Sequence, residues 1–82
     1  MNTIKKIALW LLDRIEAGQH EENGSFDSTY FFCLRVTIAK SEEGYLVYMD
    51  ESITPDFTLT ERMTLAEIEQ KIKNWLMDLP ND

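Results

Sequence analysis

Apolar residues alternate with polar ones along the middle of this chain, and both ends carry a helical apolar repeat. From Thr29 to Lys40 the sequence is rich in aromatic and β-branched residues, which favour a strand. The opposite face of this strand is mixed, as is typical of an antiparallel sheet covered by helices on one side only. The face expected in the core carries Tyr30, Phe32, Leu34, Val36 and Ile38.

A second strand is predicted from Tyr45 to about Glu51, after a turn at Ser41 to Gly44. That segment suits a type I turn with glycine at its last position. A four-residue loop keeps the apolar residues of both strands on one face, whereas a three-residue loop carries Asp50 into the core. The resulting pairs are Lys40 with Tyr45, Ile38 with Val47, Val36 with Met49, Thr37 with Tyr48 and Arg35 with Asp50.

The third predicted strand is short and runs from Phe57 to Arg62, with Phe57 and Leu59 facing inward. It follows a turn at Thr54-Pro55-Asp56. Proline removes a main-chain donor, so Pro55 favours a position at the edge of the sheet.

Two helices are predicted, one at each end of the chain. Residues 3–17 place their apolar side chains on one stripe, and Gly18 suits the C-cap. A second helix begins at Leu65, because Thr64 and Glu67 form a capping box and Met63 with Ile68 supplies the hydrophobic staple. Pro80 ends this helix.

These elements predict one α+β domain over residues 1–82: a helix, a three-stranded antiparallel sheet and a helix, with both helices packed on one face of the sheet. This element order resembles that of double-stranded RNA-binding domains. Such domains need basic residues at the start of the last helix, where this chain has Leu65, Ala66 and Glu67. The resemblance therefore implies a fold without RNA binding.

The chain is strongly acidic, with a formal net charge of −7. Phosphate backbones and anionic membrane surfaces repel such a chain, so neither nucleic acid nor a membrane is expected as a direct partner. Small phage-encoded anti-restriction and anti-CRISPR inhibitors resemble it in charge and size. That likeness implies an acidic inhibitor that mimics nucleic acid and occupies a basic groove of a protein. Its contacts are expected to be Glu42, Glu43, Asp50, Glu51 and Asp56, which lie in a segment without Lys or Arg.

The N-terminal run Ile7 to Leu12 follows Lys5 and Lys6 and so imitates a signal peptide. It is shorter than a usual signal core, lacks a cleavage motif and is too short to span a bilayer. Cys33 is the single cysteine, so no intrachain disulfide reports an oxidising compartment. A cytoplasmic location is expected.

Residues that catalyse reactions or bind metals are few. His20 lies in a polar loop, and Cys33 is expected to be a packed, semi-buried residue on the less apolar strand face. We therefore expect no catalytic residue, no cofactor and no metal. A small hydrolase or metal enzyme that uses His20 with nearby acids is the enzymatic alternative.

Apolar side chains remain outside the predicted core. They are Trp10 on the first helix and Phe31, Leu46 and Tyr48 on the outer sheet face. Exposed aromatic clusters often mark protein interfaces, because these side chains supply a large contact area. The leading hypothesis is a small non-enzymatic protein-interaction module whose simplest partner is a second copy of itself.

Overall fold

Helix α1 spans Thr3–Ala17, as the apolar stripe predicts, in a computed structural model that describes residues 2–17 and 24–78. The backbone N–H of Lys5 donates to the Asn2 side chain at 2.7 Å, which satisfies one free donor of the first turn. Gly18, the predicted C-cap, lies outside the described residues. The buried stripe of α1 consists of Ile7, Ala8, Leu11 and Ile15.

The single strand predicted from Thr29 to Lys40 is wrong, because the chain reverses within it. Strand β1 spans Phe26–Phe31 and strand β2 spans Leu34–Ser41, joined by the two turn residues Phe32 and Cys33. Phe32 has a φ of 60°, and Cys33 does not share this positive φ. A positive φ at the first turn residue alone matches a type II′ turn, which usually has glycine at that position. Nothing in the sequence signals this turn.

The tight turn also changes which residues of β1 face the core. Phe31 pairs with Leu34, and residues directly opposite in an antiparallel pair point to the same face. The odd-numbered residues of β1 therefore share a face with Val36 and Ile38. Tyr30 and Phe32, predicted to be core, are 64% and 84% exposed.

The second hairpin follows the predicted register. Strand β3 spans Gly44–Met49, and its pairs with β2 include Lys40 with Tyr45, Ile38 with Val47, Val36 with Met49 and Thr37 with Tyr48. The ladder extends one pair into the predicted four-residue loop, because Ser41 pairs with Gly44. Asp50, the residue after β3, has a φ of 60°. Its N–H donates to the Arg35 carbonyl at 2.6 Å. No ion pair joins their side chains among the described residues.

Strand β4 spans Phe57–Leu59 and is shorter than the predicted strand, which extended to Arg62. It pairs with β3 through Tyr45 and Leu59, and Leu59 is buried as expected. Over residues 2–17 and 24–78 the sheet has four strands in the order β1-β2-β3-β4, so β4 lies at an edge, as predicted. The extra strand means that the element order differs from that of double-stranded RNA-binding domains.

Helix α2 spans Leu65–Met77 and begins with the predicted capping box. The Glu67 N–H donates to the Thr64 hydroxyl at 3.3 Å, and the Thr64 N–H donates to the Glu67 carboxylate at 3.0 Å. These reciprocal bonds satisfy main-chain donors that a helix otherwise leaves free. Pro80, the predicted end of this helix, lies outside the described residues.

The architecture of the described part of the chain is α+β, with two helices and one antiparallel sheet around a single hydrophobic cluster. Both helices and the three strands β2, β3 and β4 contribute fully buried side chains to it. The paired strand residues in the cluster share one face of the sheet, as their register requires. Beyond the four residues of α1, the cluster consists of Val36, Ile38, Tyr45, Val47, Met49, Leu59, Ile68 and Ile72.

Candidate interaction surface

Trp10 and Phe31, two of the four predicted contact residues, pack against each other. Their rings meet edge to face, with centroids 6.3 Å apart and an interplanar angle of 74°. Both are half-buried against the hydrophobic cluster. The predicted placement of Phe31 on the outer sheet face is wrong, because the turn at Phe32 and Cys33 directs it toward α1. This aromatic pair joins α1 to β1.

An ion pair lies on the same side of β1. Arg14 on α1 contacts the Asp27 carboxylate at 3.4 Å and the Asp13 carboxylate at 2.7 Å. Hydrogen bonds to Asp13 and then to Asp27 raise the pKa of Arg14 above its ordinary value. The charge of Asp27 is therefore balanced within the chain. These contacts fix the position of β1 beneath α1.

The sheet face opposite the hydrophobic cluster, here called the open face, carries side chains from all four strands. Strand pairing places these residues together, because directly opposite residues share a face. They are Phe26, Ser28 and Tyr30 on β1, Arg35, Thr37 and Ala39 on β2, Leu46 and Tyr48 on β3, and Thr58 on β4.

The open face is rich in aromatic side chains. Leu46 and Tyr48 lie there as predicted and are half-buried by their neighbours. Phe26 and Tyr30 join them and are 67% and 64% exposed. Phe26 precedes the predicted strand and was not among the predicted contact residues, and Tyr30 was predicted to lie in the core. The repeat Phe26, Ser28, Tyr30 was the available signal, since alternate residues share a face of a strand.

Polar groups fix the centre of the open face. The Ser28 and Thr37 hydroxyls form a hydrogen bond of 2.7 Å across β1 and β2. Arg35 is half-buried beside them, and within the described residues its Nε has no hydrogen-bond partner. A shallow depression of about 290 Å³ lies here, bordered by Phe26, Arg35 and Tyr48. Aromatic residues and arginine are enriched at protein–protein interfaces.

The five carboxylates predicted to mimic nucleic acid do not form one cluster. Glu42 and Glu43 are exposed at the turn before β3, whereas Asp50 and Glu51 are exposed after it. A six-residue strand separates the two pairs by roughly 20 Å. The fifth carboxylate, Asp56, accepts a hydrogen bond of 2.7 Å from the Met49 N–H. Asp56 therefore orders the loop between β3 and β4.

The enzymatic alternative depends on His20, and Cys33 is the single thiol of the chain. His20 lies outside the described residues. Cys33 is exposed at the tip of the first hairpin, which corrects its predicted packing on a strand face. The described residues contain no group of three or more His, Cys, Asp or Glu that could hold a metal ion. Hydrogen bonds from the Thr64 N–H and hydroxyl lower the pKa of Glu67, a consequence of the capping box.

Neither a family model nor a curated protein nor a solved structure matches this chain. In the described part of the chain, neither helix has the length and apolar character that crossing a bilayer requires.

Proposed function

We propose that this chain is a non-enzymatic protein-interaction module and that the open face is its contact surface. The observation that carries the proposal is the pair of exposed aromatic side chains, Phe26 and Tyr30 on β1, which share the open face with Leu46 and Tyr48 on β3. Large aromatic side chains gathered on one surface commonly mark protein contacts. Here they stand on a hydrogen-bonded sheet, so binding requires little ordering of the main chain.

The area of these two rings is large enough for useful affinity. Aromatic side chains bury about 150–250 Å² each, so covering the exposed two-thirds of Phe26 and Tyr30 removes about 250 Å² from water. At about 25 cal/mol per Å², this contributes on the order of 6 kcal/mol before the cost of association. The net charge of −7 favours a protein over nucleic acid as the partner.

Photo-crosslinking tests this proposal, because the reagent bonds to whichever protein contacts the labelled position. We would place p-benzoylphenylalanine at Tyr48 on the open face and, as the control, at Lys73, which is exposed on α2. The proposal expects a discrete adduct from position 48 that is weakened at least tenfold by the double substitution Phe26→Ser and Tyr30→Ser. Equal adducts from both positions, or none from position 48, would contradict it.

The alternative function, an acidic inhibitor in place of nucleic acid, depends on the exposed Glu42, Glu43, Asp50 and Glu51, which lie in two pairs at opposite ends of β3. Salt separates the two functions, because charge contacts weaken at high ionic strength and apolar contacts do not. An adduct that disappears at about 1 M salt, where the screening length is about 3 Å, supports mimicry. An adduct that persists supports the open face.

A further inference from the structure

We infer that a second copy of this chain pairs antiparallel with the free edge of β1, so that two four-stranded sheets become one eight-stranded sheet. This inference rests on the proposed function, since it names the first partner of the interaction module. Its evidence is separate, however. It comes from the main chain of β1 and from the order of its side chains.

The free edge of β1 carries main-chain groups at alternate residues. The Lys40 N–H donates to the Ser25 carbonyl at 2.8 Å, so Ser25 directs its carbonyl toward β2. Hydrogen-bonded and non-hydrogen-bonded pairs alternate along an antiparallel ladder. Phe26, Ser28 and Tyr30 therefore direct their N–H and C=O groups away from β2. No hydrogen bond to these outward groups is present in the described residues.

The six residues of β1 itself carry little that protects this edge, and the bulge in which Gly24 and Ser25 both bond to Lys40 lies before Phe26. Natural edge strands are commonly shortened or carry Lys, Pro or a bulge, which block pairing with another chain. β1 has six residues and contains neither Lys nor Pro. Its one charged residue, Asp27, contacts Arg14 on the helix side at 3.4 Å. The opposite edge differs, because β4 has only three residues.

The side chains of β1 are complementary to the same strand in reverse. A two-fold axis at Ser28 places Phe26 opposite Tyr30 of the second copy, and Tyr30 opposite Phe26 of the second copy. The outward main-chain groups of these three residues then meet in hydrogen-bonded pairs, which gives about six hydrogen bonds. Aromatic cross-strand pairs each add roughly 0.2–1 kcal/mol. On the helix side, Asp27 lies opposite Thr29 of the second copy, so like charges are not apposed.

Other registers lose this fit. A shift by one residue sets the open face of one copy beside the helix side of the other, because successive side chains alternate in direction. A shift by two residues places Tyr30 opposite Ser28, which removes both aromatic pairs. The register centred on Ser28 alone pairs all four rings of the two copies. This self-complementarity identifies a second copy of the chain as the occupant of the edge.

The test compares two lysine substitutions on the open face. In Ser28→Lys, two like charges meet at the dimer axis, whereas in Thr37→Lys the charge lies one strand away from it. Both changes remove the same hydroxyl hydrogen bond, so they are matched in their local cost. Sedimentation equilibrium should show a wild-type dimer, at least tenfold weaker dimerisation for Ser28→Lys, and a change within about twofold for Thr37→Lys. Circular dichroism checks that both variants fold.

A disulfide provides a second measurement that does not depend on the lysine variants folding. Directly opposite Cα atoms of a hydrogen-bonded pair lie about 5.5 Å apart, within the disulfide range of 4.4–6.8 Å. Ser28→Cys in a Cys33→Ser background should therefore form a covalent dimer in a glutathione buffer. Thr37→Cys in the same background should remain monomeric on a denaturing gel.

Each opposite result overturns the pairing. A wild-type monomer up to about 1 mM, or a dimer disrupted by Thr37→Lys and not by Ser28→Lys, would refute it. An adduct to a different protein, formed by a photo-crosslinker at position 28, would assign the edge to another extended chain. A monomer that still gives the Tyr48 adduct would refute the pairing and leave the interaction module in place. A β1 dimer without that adduct would refute the open face as the contact surface.

Discussion

Gly44 is the position where a single added methyl group should disturb this fold most directly. It is the first residue of β3 and has a φ of 139°, a region that L-residues rarely adopt. A Cβ at this position would lie 2.6 Å from the Leu59 carbonyl oxygen, which is 0.8 Å less than the 3.4 Å at which ordinary contact begins. That atom belongs to the main chain of β4, so no flexible side chain can relieve the contact.

The expected cost of Gly44→Ala follows from two effects. Holding a non-glycine residue at a disfavoured φ costs about 1–3 kcal/mol. Displacing a packed neighbour costs about 1–3 kcal/mol more, because Leu59 is buried and pairs with Tyr45. We expect a loss of about 3 kcal/mol in the free energy of unfolding. A domain of this length has roughly 4–12 kcal/mol in total. At about 4–8 °C per kcal/mol, the melting temperature should fall by about 12–24 °C.

Gly24→Ala is the matched control for Gly44→Ala. Gly24 also has a positive φ, of 90°, but a Cβ there would meet no atom of the described residues within 4 Å. Its loss should be about 1–2 kcal/mol, which is the conformational cost alone. Urea unfolding followed by circular dichroism measures both variants. Equal losses, or a larger loss for Gly24→Ala, would show that the contact with β4 carries no energy.

Substitutions at four further positions test the turns and the helix cap. Phe32→Gly should raise the free energy of unfolding by about 1 kcal/mol, because glycine adopts the positive φ of the first hairpin without strain; a loss in a urea titration would contradict this. Asp56→Ala should lower it by about 1–2 kcal/mol and Asp56→Asn by less, since the amide oxygen can still accept from the Met49 N–H; equal losses would show that this bond does not order the loop. Thr64→Ala should cost about 1 kcal/mol through the lost N-cap. The pKa of Glu67 is lowered in the folded state, so its stabilisation is present above about pH 4.5 and is lost as pH falls through the folded value. On acidification, Glu67→Gln should lose less unfolding free energy than the wild type. An equal loss in the two proteins would refute the role of this carboxylate.

Local patterns correctly predicted much of the fold. The capping box at Thr64 and Glu67 gave the start of α2, since its two hydrogen bonds lie within four residues. The apolar stripe gave α1 with its observed bounds. The register of β2 with β3 was also predictable, because a slip by one residue turns Asp50 toward the core.

The candidate surface was only half predictable from these patterns. Leu46 and Tyr48 lie on the open face as expected, because their strand and register were predicted correctly. Trp10 and Phe31 pack against each other, and Phe26 and Tyr30 occupy the face that Phe31 was expected to share. All of these differences arise at one turn.

The sequence by itself determined the bounds of α1, the start of α2, the alternation of apolar and polar residues within each strand, and the acidic surface. These features depend on periodicity and on neighbours a few residues apart. Tertiary structure decided that the run from Thr29 to Lys40 reverses at Phe32 and Cys33. That turn places a bulky residue at a positive φ, against its local preference, and it exposes Phe32 to solvent. Pairing of β1 with β2 and the packing of Phe31 on Trp10 offset this cost. The packing of Phe31 on Trp10 joins two residues that are far apart in sequence, and no local pattern records such a contact.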